Sequence, residues 1–134
     1  MIKDIPELIV ENVAIAIVRE KNELDETVWN SYLLNLKDQK IEGVLVTSTG
    51  YGELNEEKVR TSTLRHFLDE VEPKSFVKIE PIIEEVFGIN NEYWLSFYFN
   101  KTMYDKRYVF LAESITEANF TTIPLINKKG VMII

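Results

Sequence analysis

His66 is the one histidine in the chain, and it stands among the densest grouping of side chains able to move a proton or hold an anion. Arg60, Arg65 and Asp69 lie close to it in sequence, beside the hydroxyls of Thr61, Ser62 and Thr63. An imidazole changes charge near neutral pH and suits acid–base work. Two guanidiniums offer forked donors to a carboxylate or phosphate. A plainer reading competes: on a helix, Arg65 pairs with Asp69 and His66 with Glu70 at i,i+4 spacing.

A second grouping lies further on. YWLSFYFN and MYDKRYVFL, spanning 93–111, hold eight of the 15 aromatic residues. Trp94, Tyr98, Tyr104 and Arg107 belong to the residue types enriched at interface hot spots. Cross-strand aromatic pairs also stabilise sheets by about 0.2–1 kcal/mol each, so packing competes with binding as their role. The candidate binding residues are thus Arg60, Arg65, His66, Asp69, Trp94, Tyr98, Tyr104 and Arg107. No nucleophile–base constellation stands out, so no catalytic residue and no cofactor are expected.

Other chemistries are excluded more firmly. The absence of cysteine removes disulfides, thiolate zinc sites and cysteine nucleophiles together. With one histidine, a metal site would have to be built from carboxylates. The acids Glu23, Asp25 and Glu26 lack the glycine and the regular spacing of a calcium loop, so Glu20–Thr27 reads as a charged connection and no metal is expected. Thr47–Gly52 lacks the lysine of a phosphate loop and the glycine spacing of a dinucleotide fold. It reads as a strand end.

The elements that must position these groups are mostly strands. Val28–Leu36 and Ile41–Ser48 are apolar runs flanking Lys37-Asp38-Gln39-Lys40, the pattern of sequential strands joined by a tight turn. Gly43 inside the second run predicts a bulge or a close approach by a large neighbour, for which Trp29 is the candidate. Residues 8–19 read as a strand buried on both faces. In Phe76–Ile83, Phe76, Lys78 and Glu80 alternate against Val77 and Ile79, and Pro81 marks a strand end or sheet edge. Tyr93–Leu111 reads as a hairpin turning around Asn100-Lys101-Thr102, with Tyr93, Leu95, Phe97 and Phe99 facing the core.

Two segments read as helical. Leu64, Phe67, Leu68 and Val71 have i, i+3, i+4, i+7 spacing, which predicts one short helix within Val59–Val71. A further turn is expected before Gly88, and weak helical character over Ser114–Asn119. The apolar end Val131-Met132-Ile133-Ile134 requires a last strand or an interface to cover it.

At 134 residues the chain reads as one domain over 1–134. Hydrophobic residues at 46% and charged residues at 28% are ordinary for a folded protein. A net charge of −7 repels nucleic-acid phosphates and anionic lipid. The N-terminus has a single early lysine, Lys3, cancelled by Asp4, and no apolar run long enough for a leader or a membrane span. The expectation is a cytoplasmic chain with neither nucleic-acid nor membrane partners. Short, closely spaced strands favour a mainly β fold: an antiparallel sandwich of immunoglobulin-like architecture, or an open barrel, with one or two short helices.

VWNSYLLNLKDQKIEGVLVTSTGYGE together with TSTLRHFLDEVEPKSFVKIEPI resembles a family of small uncharacterised bacterial proteins, over nearly the whole chain. Some of its members carry the label phenylalanyl-tRNA synthetase α subunit. A class II synthetase core needs a much larger catalytic domain with arginine-bearing ATP motifs, so the resemblance implies no activity for named residues. The reading that remains is a non-enzymatic binding or accessory protein acting on a protein partner or on a second copy of itself. The alternatives are a sandwich that binds carbohydrate or another small molecule, or a small anion-binding enzyme centred on Arg65 and His66.

Overall fold

A computed structural model of the protein describes residues 8–134. Lys3 and Asp4, whose charges bear on the question of a leader, lie outside them. Ten strands follow in order: β1 Val13–Lys21, β2 Thr27–Asn35, β3 Ile41–Leu54, β4 Glu57–Arg60, β5 Leu64–Val71, β6 Ser75–Ile82, β7 Asn90–Phe99, β8 Thr102–Phe110, β9 Thr121–Thr122 and β10 Lys129–Ile133. Short 3₁₀ turns occupy Glu84–Gly88 and Glu117–Asn119.

The strands form two antiparallel sheets, a β-sandwich and not a closed barrel. The first sheet runs β6-β2-β1-β10-β9. The second runs β4-β3-β7-β8, with β5 pairing the earlier part of β3 on the same side as β4. That edge is interrupted at 61–63, between β4 and β5. Alternation explains the core. Val13, Ile15, Ile17 and Leu33 from the first sheet meet Val44, Val46, Tyr93, Leu95 and Phe97 from the second. The opposite face of β1 is also buried: Ala14, Ala16 and Val18 pack with Leu34 and Ile123 in a second cluster.

The C-terminal run is a strand, as its apolar ending requires. β10 inserts beside β1, with Ile15 opposite Ile133 and Val18 opposite Gly130. A Cβ at Gly130 would collide with the Ile17 carbonyl, so this close approach needs glycine. The β7–β8 hairpin also has the expected form. Asn100 and Lys101 both take positive φ, 50° and 62°, the type I′ geometry that matches strand twist.

Four expectations are corrected. Val28–Leu36 and Ile41–Ser48 are strands but not a hairpin: β2 pairs β1 and β6, while β3 belongs to the other sheet. The polar break between them crosses from sheet to sheet. Gly43 does sit at a bulge, with φ +56°, but a Cβ there would meet Tyr98 at 3.1 Å, not Trp29. Trp29 packs edge-on against Phe87, centroids 5.0 Å apart. The helix expected within Val59–Val71 is instead β4, a break and β5. Finally, Glu80 does not share an outward face with Lys78. A register shift against β2 places Glu80 opposite Ser31, which is buried, so the carboxylate turns inward.

Candidate functional site

The inward turn of Glu80 creates a polar network that joins the two sheets. From the edge of the first sheet, its carboxylate meets three groups of the second. His66 Nε2 on β5 lies 2.7 Å from Oε1, Ser48 Oγ on β3 donates to the same oxygen at 2.8 Å, and the Tyr93 hydroxyl on β7 donates to Oε2 at 3.2 Å. Ser31 Oγ donates to the Glu80 main-chain carbonyl at 3.2 Å. The Glu80 side chain is 14% exposed, so its charge is stabilised chiefly by these partners. Burial, reinforced by the negative charge of Glu80, pushes the Tyr93 phenol above its ordinary value.

This is not a serine–histidine relay. Ser48 and His66 both address the carboxylate rather than each other, so His66 cannot take the Ser48 proton in this arrangement. What the network does is clasp the two sheets at the edge where β5 and β6 meet. Beside it opens a cleft of about 400 Å³ against the 61–63 break, floored by Ser48, Glu80 and Tyr93.

The candidate binding residues are distributed differently from their order in the chain. His66 turns towards Glu80, while Arg65 lies on the other face of β5. Arg65 opposes Thr47, Thr47 opposes Trp94, and Trp94 opposes Arg107, forming one row across four strands. The adjoining row holds Phe67, Leu45, Ser96 and Asp105. Tyr98 and Met103 face each other in the next. Asp69 sits at the other end of β5, at positive φ beside the bulge of β3. Arg60 stands apart on exposed β4, beside Tyr51 and Lys58. Tyr104 points away from this outer face and stacks on core Phe97, centroids 5.6 Å apart. In the extended chain, the helical pairs Arg65–Asp69 and His66–Glu70 do not form.

The outer face of the second sheet is therefore an aromatic platform that assembles Arg65, Trp94, Tyr98 and Arg107. Phe67 is 68% exposed, Trp94 44% and Tyr98 49%. The platform is braced from one side: Tyr51 donates to Glu92 at 3.3 Å, Glu92 pairs with Arg107 at 3.4 Å, and the Arg107 guanidinium lies 5.8 Å from the Trp94 ring centre.

A further opening near Trp29 collects Arg19, Lys21, Lys128 and Lys129. Its basic character is offset locally, since Arg19 pairs with Glu117 and Lys128 with Glu20, both at 3.1 Å. Among the described residues no three metal-ligating side chains converge. No described helix is long and apolar enough to cross a membrane.

Comparison with known proteins returned no family model, curated protein or solved structure that matches this chain.

Proposed function

We propose that this chain is a non-enzymatic binding module of the cytoplasm that associates with a second copy of itself through the outer face of its second sheet. One observation carries the reading: Phe67, Trp94, Tyr98 and Met103 are large, exposed and share one face, with Leu45, Thr47 and Ser96 between them. Exposed apolar side chains scattered singly are ordinary, whereas a contiguous set marks an interaction surface.

The charge pattern favours a copy of the same chain. Arg65 and Asp69 bracket Phe67 on β5, and Arg107 lies two residues beyond Asp105 on β8. Each outer strand thus carries a cation towards one end and an acid towards the other. A two-fold axis across the strands at the Phe67 row would bring Arg65 against Asp69 of the other copy, as an isologous contact allows. Exposed ion pairs contribute little, about 0–1 kcal/mol, so the aromatic centre supplies most of the affinity. Four strands about 4.8 Å apart give the face roughly 300–400 Å² in plan. A stable interface uses about 800 Å² per partner. The assembly should accordingly be weak and reversible.

Sedimentation over a concentration series tests this. The native chain should move from monomer to dimer, and Trp94→Ala with Phe67→Ser should weaken the dimer by roughly 30-fold or more, as for a hot-spot aromatic. A chain that stays monomeric at every concentration ends the proposal.

A further inference from the structure

We propose that the cleft beside Glu80 binds a small protonated amine, with Glu80 and Asn91 receiving the ammonium group. This site adjoins the aromatic platform through Glu92, which lines the cleft and braces Arg107, but its ligand does not require self-association.

The cleft has about 400 Å³ of space, within the range of small-molecule sites. Two carboxylates line it, Glu80 and the Arg107-paired Glu92, and no lysine or arginine does. Asn91 points to what is missing. It is 7% exposed, and its Nδ2 donates to the main-chain carbonyls of Val86 at 2.8 Å and Ile89 at 3.1 Å. That orientation leaves Oδ1 as the free end of the amide, and it accepts no hydrogen bond from any described residue. No wholly enclosed side-chain polar atom lacks a partner among the described residues. Oδ1 is therefore not wholly enclosed, and Asn91 is one of the residues that line the cleft.

Glu80 is similarly incomplete on one side. Oε1 receives His66 and Ser48, whereas Oε2 receives Tyr93 alone, leaving capacity for another donor. Two acceptors under a local negative charge call for a ligand that brings donors and a positive charge. An ammonium brings three donors on one centre. Pro81, Ile82, Ile83 and Val86 form an apolar wall that suits a short alkyl body. An anion would meet the carboxylate of Glu80, and a hard divalent cation, which keeps several of its waters, would gain nothing from the apolar wall.

The test uses three probes of equal chain length: n-butylammonium, n-butanol and butyrate, titrated into the native chain and followed by amide chemical shifts. Butylammonium should shift Ser62, Asn91 and Tyr93 saturably, butanol should bind about ten-fold or more weakly, as loss of a charge-assisted hydrogen bond implies, and butyrate should cause no shifts. Glu80→Gln should erase the preference for the amine. Because that change also touches the buried network, Ser62→Trp at the exposed rim serves as a second variant, expected to block the cleft while the fold persists. Three probes binding alike, no saturable shift from the amine, or shifts that survive Ser62→Trp would each overturn the proposal.

Discussion

Glu80 is the residue on which the interior polar chemistry converges. Replacing it with alanine removes the acceptor for His66, Ser48 and Tyr93 together, and the Tyr93 hydroxyl is left in a buried position. Leaving one buried donor unpaired costs about 1–3 kcal/mol, so Glu80→Ala should lower unfolding free energy by at least that amount in urea titration. His66→Gln can still donate to the carboxylate and should cost less than half as much. Equal losses from the two changes would place the clasp in the imidazole and not in the carboxylate. The inward turn of Glu80 shows in the burial of its neighbours and not in their types, since Ile82 is buried and Ile83 exposed. Ile79 and Ile82 are both buried yet three residues apart, which strict alternation cannot produce without an inserted residue. Read as uninterrupted alternation, the segment puts Glu80 in solvent.

The same irregularity, at the scale of elements, explains the helix that is not there. On β5, Phe67 and Asp69 oppose consecutive residues of β3, Leu45 and Val44, so Leu68 is extra. The helix-like spacing is drawn from both faces of the strand: Leu68 and Val71 face the core across this bulge, while Leu64 and Phe67 are exposed. Loops and strand existence were legible from composition: β1, the β7–β8 hairpin, edge strand β6 and terminal β10 all follow from alternation, proline and the need to cover apolar side chains. Partnership was less legible. Whether Ile41–Leu54 folds back on Thr27–Asn35 or crosses to another sheet depends on contacts distant in sequence, and the four polar residues between them suit either. The platform suffered in the same way, because Arg65 joins Trp94 only through Thr47 of an intervening strand. One local feature can be improved directly. Lys101 holds positive φ in the β7–β8 turn, where glycine pays no steric cost. Lys101→Gly should raise thermal stability by roughly 0.5–1 kcal/mol, measured by calorimetry, and a loss would mean the lysine side chain contributes more than its backbone strain removes.

The whole molecule couples its stability to pH at both ends of the scale. Tyr32, Tyr93 and Tyr108 are all held above the ordinary phenol value of 10.0, first by burial, with Glu20 and Glu80 adding to the effect at Tyr32 and Tyr93. Unfolding would let them ionise near that value, so their contribution is whole below about pH 10 and falls as pH rises further. Glu20 behaves oppositely. Burial alone would raise its carboxyl, but hydrogen bonds from Tyr32, Lys128 and Asn30 outweigh it and hold the group below 4.5. Its contribution is present above that pH and disappears as the solution becomes more acidic. Melting temperature should therefore fall on both flanks. Tyr108→Phe, which gives up a 2.6 Å bond to the Val13 carbonyl, should start lower but decline less on the alkaline side. An unchanged alkaline slope in that variant would remove Tyr108 from the account.

The pairing of β1 with β10 also determines how the protein meets force. The two strands run antiparallel with Ile15 beside Ile133, so the chain enters β1 next to where it leaves β10. Tension applied at these two points loads one inter-strand hydrogen bond at a time, from Ile15 towards Val18, and peels the strands apart like a zipper. A sheared pair would have to break all its bonds together. Held by its ends, this sandwich should open at low force in a single-molecule stretching experiment, even though the same two strands lie in the middle of its first sheet.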